Sequence, residues 1–278
     1  MPMQSSSLST PRPLADWPMS AREGVWGVMT DIDDTLTRDG AIEPVALQAL
    51  HALHAAGVPV VAITGRPHGW SVPFARDWPV AAIVAENGAV ALLREDTQVR
   101  TEYAQDAATR QANALRLQAT AVRILREVPG ATLARDSAGR LTDIAVDHSE
   151  FTTLPPDAIA GVVAIMREEG MTATVSSIHV NGWYGSHSKW SGAQWMLCRL
   201  FGRALDDELE RWVYVGDSTN DQAMFERFAA SVGVANLMRF AADLTHWPAW
   251  ITRAERGAGF AEVAQALLQA RAGAGARP

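Results

Sequence analysis

Along the chain, short apolar runs alternate with longer amphipathic segments. Val25–Thr30, Val58–Ile63, Ala81–Ala85, Trp212–Val215 and Ser231–Ala235 are runs of this kind, with almost no polar alternation. They predict strands buried on both faces, as in a parallel sheet covered by helices. Pro44–Ala56 carries a stripe at Val45, Leu47, Leu50 and Leu53 and stops at Gly57. Glycine suits the left-handed turn that ends a helix, so this segment predicts a crossover helix.

The middle of the chain has a different pattern. Residues 89–103 alternate apolar and polar, as in a meander with one wet face. Asp106–Val128 predicts a long helix with a stripe at Ala108, Ala112, Leu115, Ala119, Val122 and Leu125, ended by Pro129-Gly130. Strands are expected at Thr132–Ala134 and Leu141–Val146, then a helix opened by Pro155-Pro156-Asp157 and closed by Gly170, then a last strand over Thr172–Val180. The fold class expected is α/β: a Rossmann-like, doubly wound parallel sheet with an inserted α+β unit. The boundaries are a core over 25–87 and 186–270, an insert over 88–185, and flexible tails at 1–24 and 271–278.

Composition narrows the partners. With 278 residues, 24 basic against 31 acidic side chains and a net charge of −7, the chain is not a general binder of nucleic acid backbones. No apolar run reaches the roughly 18–20 residues of a membrane span. The single cysteine, Cys198, reads as a small core residue on a helix. No basic segment followed by an apolar one opens the sequence, so a cytoplasmic location is expected.

Candidate chemistry gathers at the carboxyl ends of the apolar runs, where open α/β sheets bind ligands. Asp31-Ile32-Asp33-Asp34-Thr35 places three carboxylates within four residues, a cluster that a hard divalent cation such as Mg²⁺ would relieve. Thr64-Gly65-Arg66 offers a hydroxyl and a closely approachable backbone N–H. Lys189 is a lone cation in Ser186–Trp190, and Gly216-Asp217-Ser218-Thr219-Asn220-Asp221 adds two further carboxylates at a strand end.

In this order the motifs resemble the haloacid-dehalogenase-like hydrolase superfamily. Together with the insert and Glu86-Asn87-Gly88-Ala89, they are similar to its subfamily with a type IIB cap, over about residues 25–265. That subfamily holds sugar-phosphate phosphatases and phosphomannomutases. The resemblance implies a nucleophile at Asp31 and an acid/base at Asp33. It also implies Mg²⁺ held by Asp31, the Asp33 carbonyl, Asp217 and Asp221, and phosphate contacts from Thr64, Gly65, Lys189 and Asn220. The substrate expected is a small phosphorylated metabolite, and the protein a monomer or homodimer. Asp34 and Trp190 stand where such phosphatases usually carry glycine. Near the return from insert to core, His179, Asn181, Tyr184 and His187 are candidate substrate contacts, with Trp183 as hinge packing. A phosphosugar mutase using the same phosphoaspartate, or a phosphate-ligand binder without catalysis, remains open here. A signalling receiver domain is excluded by the insert and by Gly216–Asp221.

Overall fold

The computed structural model describes residues 10–275. In chain order the strands of the first half are β1 (Arg12–Pro13), β2 (Gly27–Thr30), β3 (Thr37–Arg38), β4 (Ala41–Ile42), β5 (Val60–Ile63), β6 (Ala82–Ala85), β7 (Val90–Glu95) and β8 (Gln98–Tyr103). Those of the second half are β9 (Thr132–Leu133), β10 (Asp143–Asp147), β11 (Thr172–Val175), β12 (His179–Trp183), β13 (Trp212–Gly216), β14 (Ala230–Gly233) and β15 (Trp250–Ile251). The helices are α1 (Met19–Glu23), α2 (Pro44–Ala55), α3 (His68–Asp77), α4 (Ala107–Glu127), α5 (Pro156–Glu168), α6 (Lys189–Phe201), α7 (Gln222–Arg227) and α8 (Arg256–Gly275).

The large sheet has the order β1-β15-β14-β13-β2-β5-β6-β7-β8. It is parallel from β1 to β6, and β7 and β8 join antiparallel at one edge. One face packs on α2 and α8 through Leu50, Leu53, Phe260 and Leu267, the other on α6 and α7 through Met196, Leu197 and Phe225. The expected doubly wound core is present. A second, antiparallel sheet, β11-β12-β10-β9, packs with α4 and α5 around Val146, Val162, Met166 and Val180.

Several expectations are corrected. Residues 89–103 were assigned to the insert, but β7 pairs with β6, so the hairpin extends the core sheet and the separate sheet begins at β9. Its alternation is that of an edge, half covered by α3. The expected strand over Thr172–Val180 is the hairpin β11–β12, turning at Ser176–Ile178.

The stripe expected on α4 is turned out of the core. Leu115, Val122 and Leu125 are 71%, 63% and 44% exposed, and Asn113, Leu117, Thr120, Ala121 and Ile124 face inward. Two of those inward positions are polar but satisfied: Asn113 donates to the Gln105 Oε1 and Thr120 shares a hydrogen bond with the Tyr184 hydroxyl. A period counted on apolar residues alone misses such a face. On α2 the inward residues are Ala46, Ala49, Leu50 and Leu53, while Val45 is exposed.

Cys198 is exposed, because α6 turns Ala193, Met196 and Leu197 to the sheet instead. The N-terminal tail is ordered from residue 10: β1 extends the sheet, and Trp17, 2% exposed, stacks on Trp250. At the other end α8 continues through Gly275. The parts of the expected tails at 1–9 and 276–278 lie outside the described residues. Among the described residues no helix is long and apolar enough to cross a membrane.

The β7–β8 hairpin, from which the chain passes into the insert, opens on a strained turn. Glu86 and Asn87 both have positive φ (+50° and +55°), and Gly88 follows at +108°. The Glu86 carboxylate, fully buried, accepts from the backbone N–H groups of His68, Leu141 and Thr142 and from the Thr142 hydroxyl. One side chain thus ties core to insert. A Cβ on Gly88 would overlap the Ser188 carbonyl oxygen, where the chain returns to the core. Gly88→Ala should therefore cost about 2–3 kcal/mol of stability, read as a lowered denaturation midpoint with an unchanged slope.

Candidate active site

The register of three adjacent parallel strands builds the site. Val215 of β13 lies opposite Thr30 of β2, and Thr30 opposite Ala62 of β5, so the three strands end within one residue of the same level. The next residues are Asp217, Asp31 and Thr64. The Asp31 N–H donates to the Val215 carbonyl at 2.9 Å, holding the first carboxylate over the strand ends. The N–H groups of Thr35, Leu36 and Thr37 then converge on the Ile32 carbonyl and curl the chain under the site. Asp34 sits in that curl at φ +52°, a region that favours glycine; aspartate is one of the few other residues that tolerates it.

Lys189 enters from the N-terminus of α6, where Ser188 and Ser191 form a reciprocal capping box. Its Nζ lies 2.9 Å from Asp31 Oδ1, 2.7 Å from Asp221 Oδ1 and 3.4 Å from Asn220 Oδ1. Three of the sequence-predicted residues thus meet on the ammonium of a fourth. Asp221 is saturated: Oδ1 also accepts from the Tyr214 hydroxyl, and Oδ2 accepts from the N–H groups of Asp217 and Ser218. It acts by holding Lys189 and the Asp217 backbone.

Asp217 differs. Its Oδ2 accepts from Asn236 Nδ2 at 3.1 Å, while its Oδ1 is buried without a partner. Oxygens of Asp31, Asp217 and Asp221 lie within 4.8 Å of one another. Burial, then the carboxylates of Asp221 and Asp33, push Asp31 up to about 7 against the pull of Lys189. Burial, then Asp31 and Asp221, raise Asp217 well above the usual carboxylate range. Burial alone would lower the Lys189 pKa, but Asp221 and Asp31 outweigh it and the ammonium is held charged. One ammonium does not balance three buried carboxylates. A hard divalent cation fits, with Asp31 and Asp217 as the carboxylates free to bind it.

Asp33 is oriented by Arg66, whose Nε lies 2.9 Å from Oδ1; the Thr64 hydroxyl faces Oδ2 at 3.5 Å. Arg66, 4% exposed, also reaches Asp136 and Glu150 of the insert at 3.1 and 2.7 Å. Burial alone would raise the Glu150 carboxyl, but His179 and Arg66 bring it down to about 2. Gly65 serves through its carbonyl, which accepts from Arg140 and Asn181.

The candidate substrate contacts lie elsewhere than expected. A cavity of about 420 Å³ between core and insert contains none of His179, Asn181, Tyr184 or His187 in its lining. His179 backs Glu150, Asn181 ties Asp143 to Gly65, and Tyr184 packs under Arg116 inside the insert. His187 stacks on Trp183 with both ring nitrogens unpartnered, and burial lowers its pKa to about 4. Trp183 is hinge packing, its indole N–H donating to the His187 carbonyl. Trp190 packs edge-on against Phe228, away from the carboxylates.

Three residues of the site escaped the sequence reading. Arg66 had a signal, lying directly after Thr64-Gly65. Asn236 follows β14, one more strand end, but alone carries no charge pattern. Glu150 belongs to a turn that Asp147 organises by accepting from the N–H groups of Ser149, Glu150 and Phe151.

Residues 28–125 match the family model described as haloacid dehalogenase-like hydrolase. No curated protein matches the sequence. Among solved structures, the C-terminal domain of trehalose-6-phosphate phosphatase from C. albicans is 13% identical, covers 95% of this chain and 99% of its own, with a TM-score of 0.65. A HAD/COF-like hydrolase from Plasmodium vivax is 15% identical over 90% of this chain and 99% of its own, at 0.64. Sucrose-phosphatase from Synechocystis, in complex with sucrose and phosphate, is 14% identical over 87% and 97%, at 0.62. At such identities these structures share the fold. Over residues 28–125 the chain thus resembles the haloacid dehalogenase-like hydrolases, and over core and insert it is similar in fold to these structures.

Proposed function

We propose that the chain is a Mg²⁺-dependent phosphomonoesterase acting on a small phosphorylated metabolite, a sugar phosphate, through an aspartyl-phosphate intermediate. The observation that carries this reading is the placement of Asp31 against Lys189 beside the unpartnered Asp217 Oδ1. A carboxylate nucleophile repels a phosphate ester unless positive charge is supplied, and this site is arranged to supply it. The names of the sucrose- and trehalose-6-phosphate phosphatases that share the fold support the substrate class.

Mg²⁺ would be held by the carboxylates of Asp31 and Asp217 with the Asp33 carbonyl, and would add positive charge at the phosphoryl oxygens. Asp31 attacks phosphorus, and Lys189, Asn220 and Thr64 neutralise the oxygens as charge spreads over them. Asp33, held by Arg66, protonates the departing alkoxide and then takes a proton from the water that hydrolyses the aspartyl phosphate. The insert beyond the β7–β8 hairpin, taken as a cap, limits water access. It is seated by Glu86, by Arg140 on the Gly65 carbonyl at 3.0 Å, and by the Thr219 hydroxyl on the Val175 carbonyl at 2.8 Å.

The direct experiment is inorganic phosphate release from phosphorylated sugars and polyols with Mg²⁺. Release without an added bisphosphate is expected. Turnover that needs a bisphosphate and frees no phosphate would make the protein a mutase instead. Asp31→Asn should abolish release. Asp33→Asn should slow hydrolysis of alkyl phosphates by about 10²–10⁴-fold while still forming phosphoenzyme from p-nitrophenyl phosphate, a good leaving group. Trapped ³²P-labelled protein would check this.

Folded Asp31 holds its proton up to about pH 7, against an ordinary pKa of 3.8. That raised value makes a stabilising contribution that is complete below the ordinary pKa and is lost as pH rises through the folded one. In chelator, the thermal midpoint should therefore fall between about pH 4 and pH 7, and Asp31→Asn should flatten the fall. Added Mg²⁺ should raise the midpoint more at pH 8 than at pH 5.

A further inference from the structure

Beside the catalytic carboxylates, the cavity is bounded by an ion pair that the reaction does not require. Arg256 Nε lies 2.7 Å from Asp34 Oδ1, with the two side chains 14% and 16% exposed. Both residues have positive φ, +54° and +52°. That region is unfavourable for most side chains, arginine included. Asn236 fixes both ends of the pair: its Nδ2 donates to the Asp34 carbonyl at 3.0 Å, and its Oδ1 accepts from the Arg256 N–H at 2.9 Å. The same amide group holds Asp217. The pair is therefore built rigidly into the wall beside the phosphate site.

Stability does not account for it. A buried ion pair roughly balances its own desolvation, and two backbone residues at positive φ add to the cost. What the pair does is shape the polarity of the cavity that both residues line.

The guanidinium groups of that lining are already matched. Arg66 is held by Asp33, Asp136 and Glu150, Arg256 by Asp34, and Arg239 by Glu255 at 3.0 Å. Asp39 adds a further carboxylate to the wall. No cation of the lining is left to compensate a second anion on the substrate. Phe151 is its one aromatic ring, with Arg135 3.9 Å from the ring centroid, so a flat base would find no sandwich of rings.

We propose that Asp34 and Arg256 read two neighbouring hydroxyls on the leaving group, Asp34 accepting from one and Arg256 donating to the other. The preferred substrate is then the phosphate ester of an uncharged polyol or sugar, and esters carrying a second anion are disfavoured. This deepens the phosphomonoesterase reading above and rests on it. A site whose buried polar groups expect a hydroxyl discriminates strongly against ligands that leave those groups unpaired.

The test compares kcat/KM for phosphate release from glucose 6-phosphate, 3-phosphoglycerate and p-nitrophenyl phosphate in the full chain with Mg²⁺. The wild type should prefer the neutral-sugar ester to the phosphorylated acid. Asp34→Gly restores the residue suited to this backbone and removes the carboxylate. It should lower kcat/KM for the sugar ester at least about tenfold more than for p-nitrophenyl phosphate, mainly through KM. With Arg256 released, it should also shift the ratio toward 3-phosphoglycerate. Asp34→Asn, which keeps a hydrogen-bonding group and tolerates positive φ, should lie between, and thermal melts verify that each variant is folded. A wild type that prefers 3-phosphoglycerate, one that cleaves p-nitrophenyl phosphate but no sugar ester, or an Asp34→Gly that changes all three substrates by one factor overturns the proposal. A wild type that releases phosphate from none of the esters overturns the phosphomonoesterase reading itself, and this proposal with it.

Discussion

The structure depends on one buried electrostatic imbalance. Asp31, Asp217 and Asp221 converge at the ends of β2 and β13, and a single ammonium, Lys189, stands against them. Carboxylates taken out of water repel one another strongly, so such a cluster persists only where the fold leaves them no other place. Here the fold does this through backbone register. Adjacent parallel strands end within one residue of the same level, and the hydrogen bond from Asp31 to Val215 fixes the two loops relative to each other. The unmet charge is also what the proposed cation and phosphoryl group would meet.

Much of the remaining architecture is scaffolding for that cluster. Tyr214, Ser218 and the Asp217 N–H occupy Asp221, so that it serves as an anchor for Lys189. Asn236 holds Asp217 and, through Asp34 and Arg256, continues the same order into the cavity wall. The insert is tied in by charge as well: Glu86 receives its backbone, and Arg66 bridges Asp33 to Glu150 and Asp136. Seating of the insert and orientation of Asp33 are therefore coupled through one guanidinium.

The sheet, its crossover helices and the residues around Lys189 were legible because each carries a local signal. A buried parallel strand is a continuous apolar run, and a strand-end carboxylate stands out directly after it, as at Asp31 and Asp217. What failed had no local signal. The inward face of α4 contains Asn113 and Thr120, satisfied by Gln105 and Tyr184, so a count of apolar residues chose the exposed stripe. The β7–β8 hairpin reads the same at the edge of either sheet, and only its pairing with β6 decides. His179, Asn181, Tyr184 and His187 were chosen by nearness in sequence to the return into the core, but strand alternation and helix packing aim them at hinge and insert.

By itself the sequence determined the α/β alternation, the presence of an insert and the identity of the groups at three strand ends, because period and strand-end chemistry are short-range properties. Only the tertiary structure decided which oxygens are spent on hydrogen bonds and which stay open, that Arg66 and Asn236 belong to the site, and that Asp34 faces Arg256 from 222 positions away in the sequence. Those outcomes depend on distances between residues far apart in the chain, which exist only once strands have paired and helices have packed.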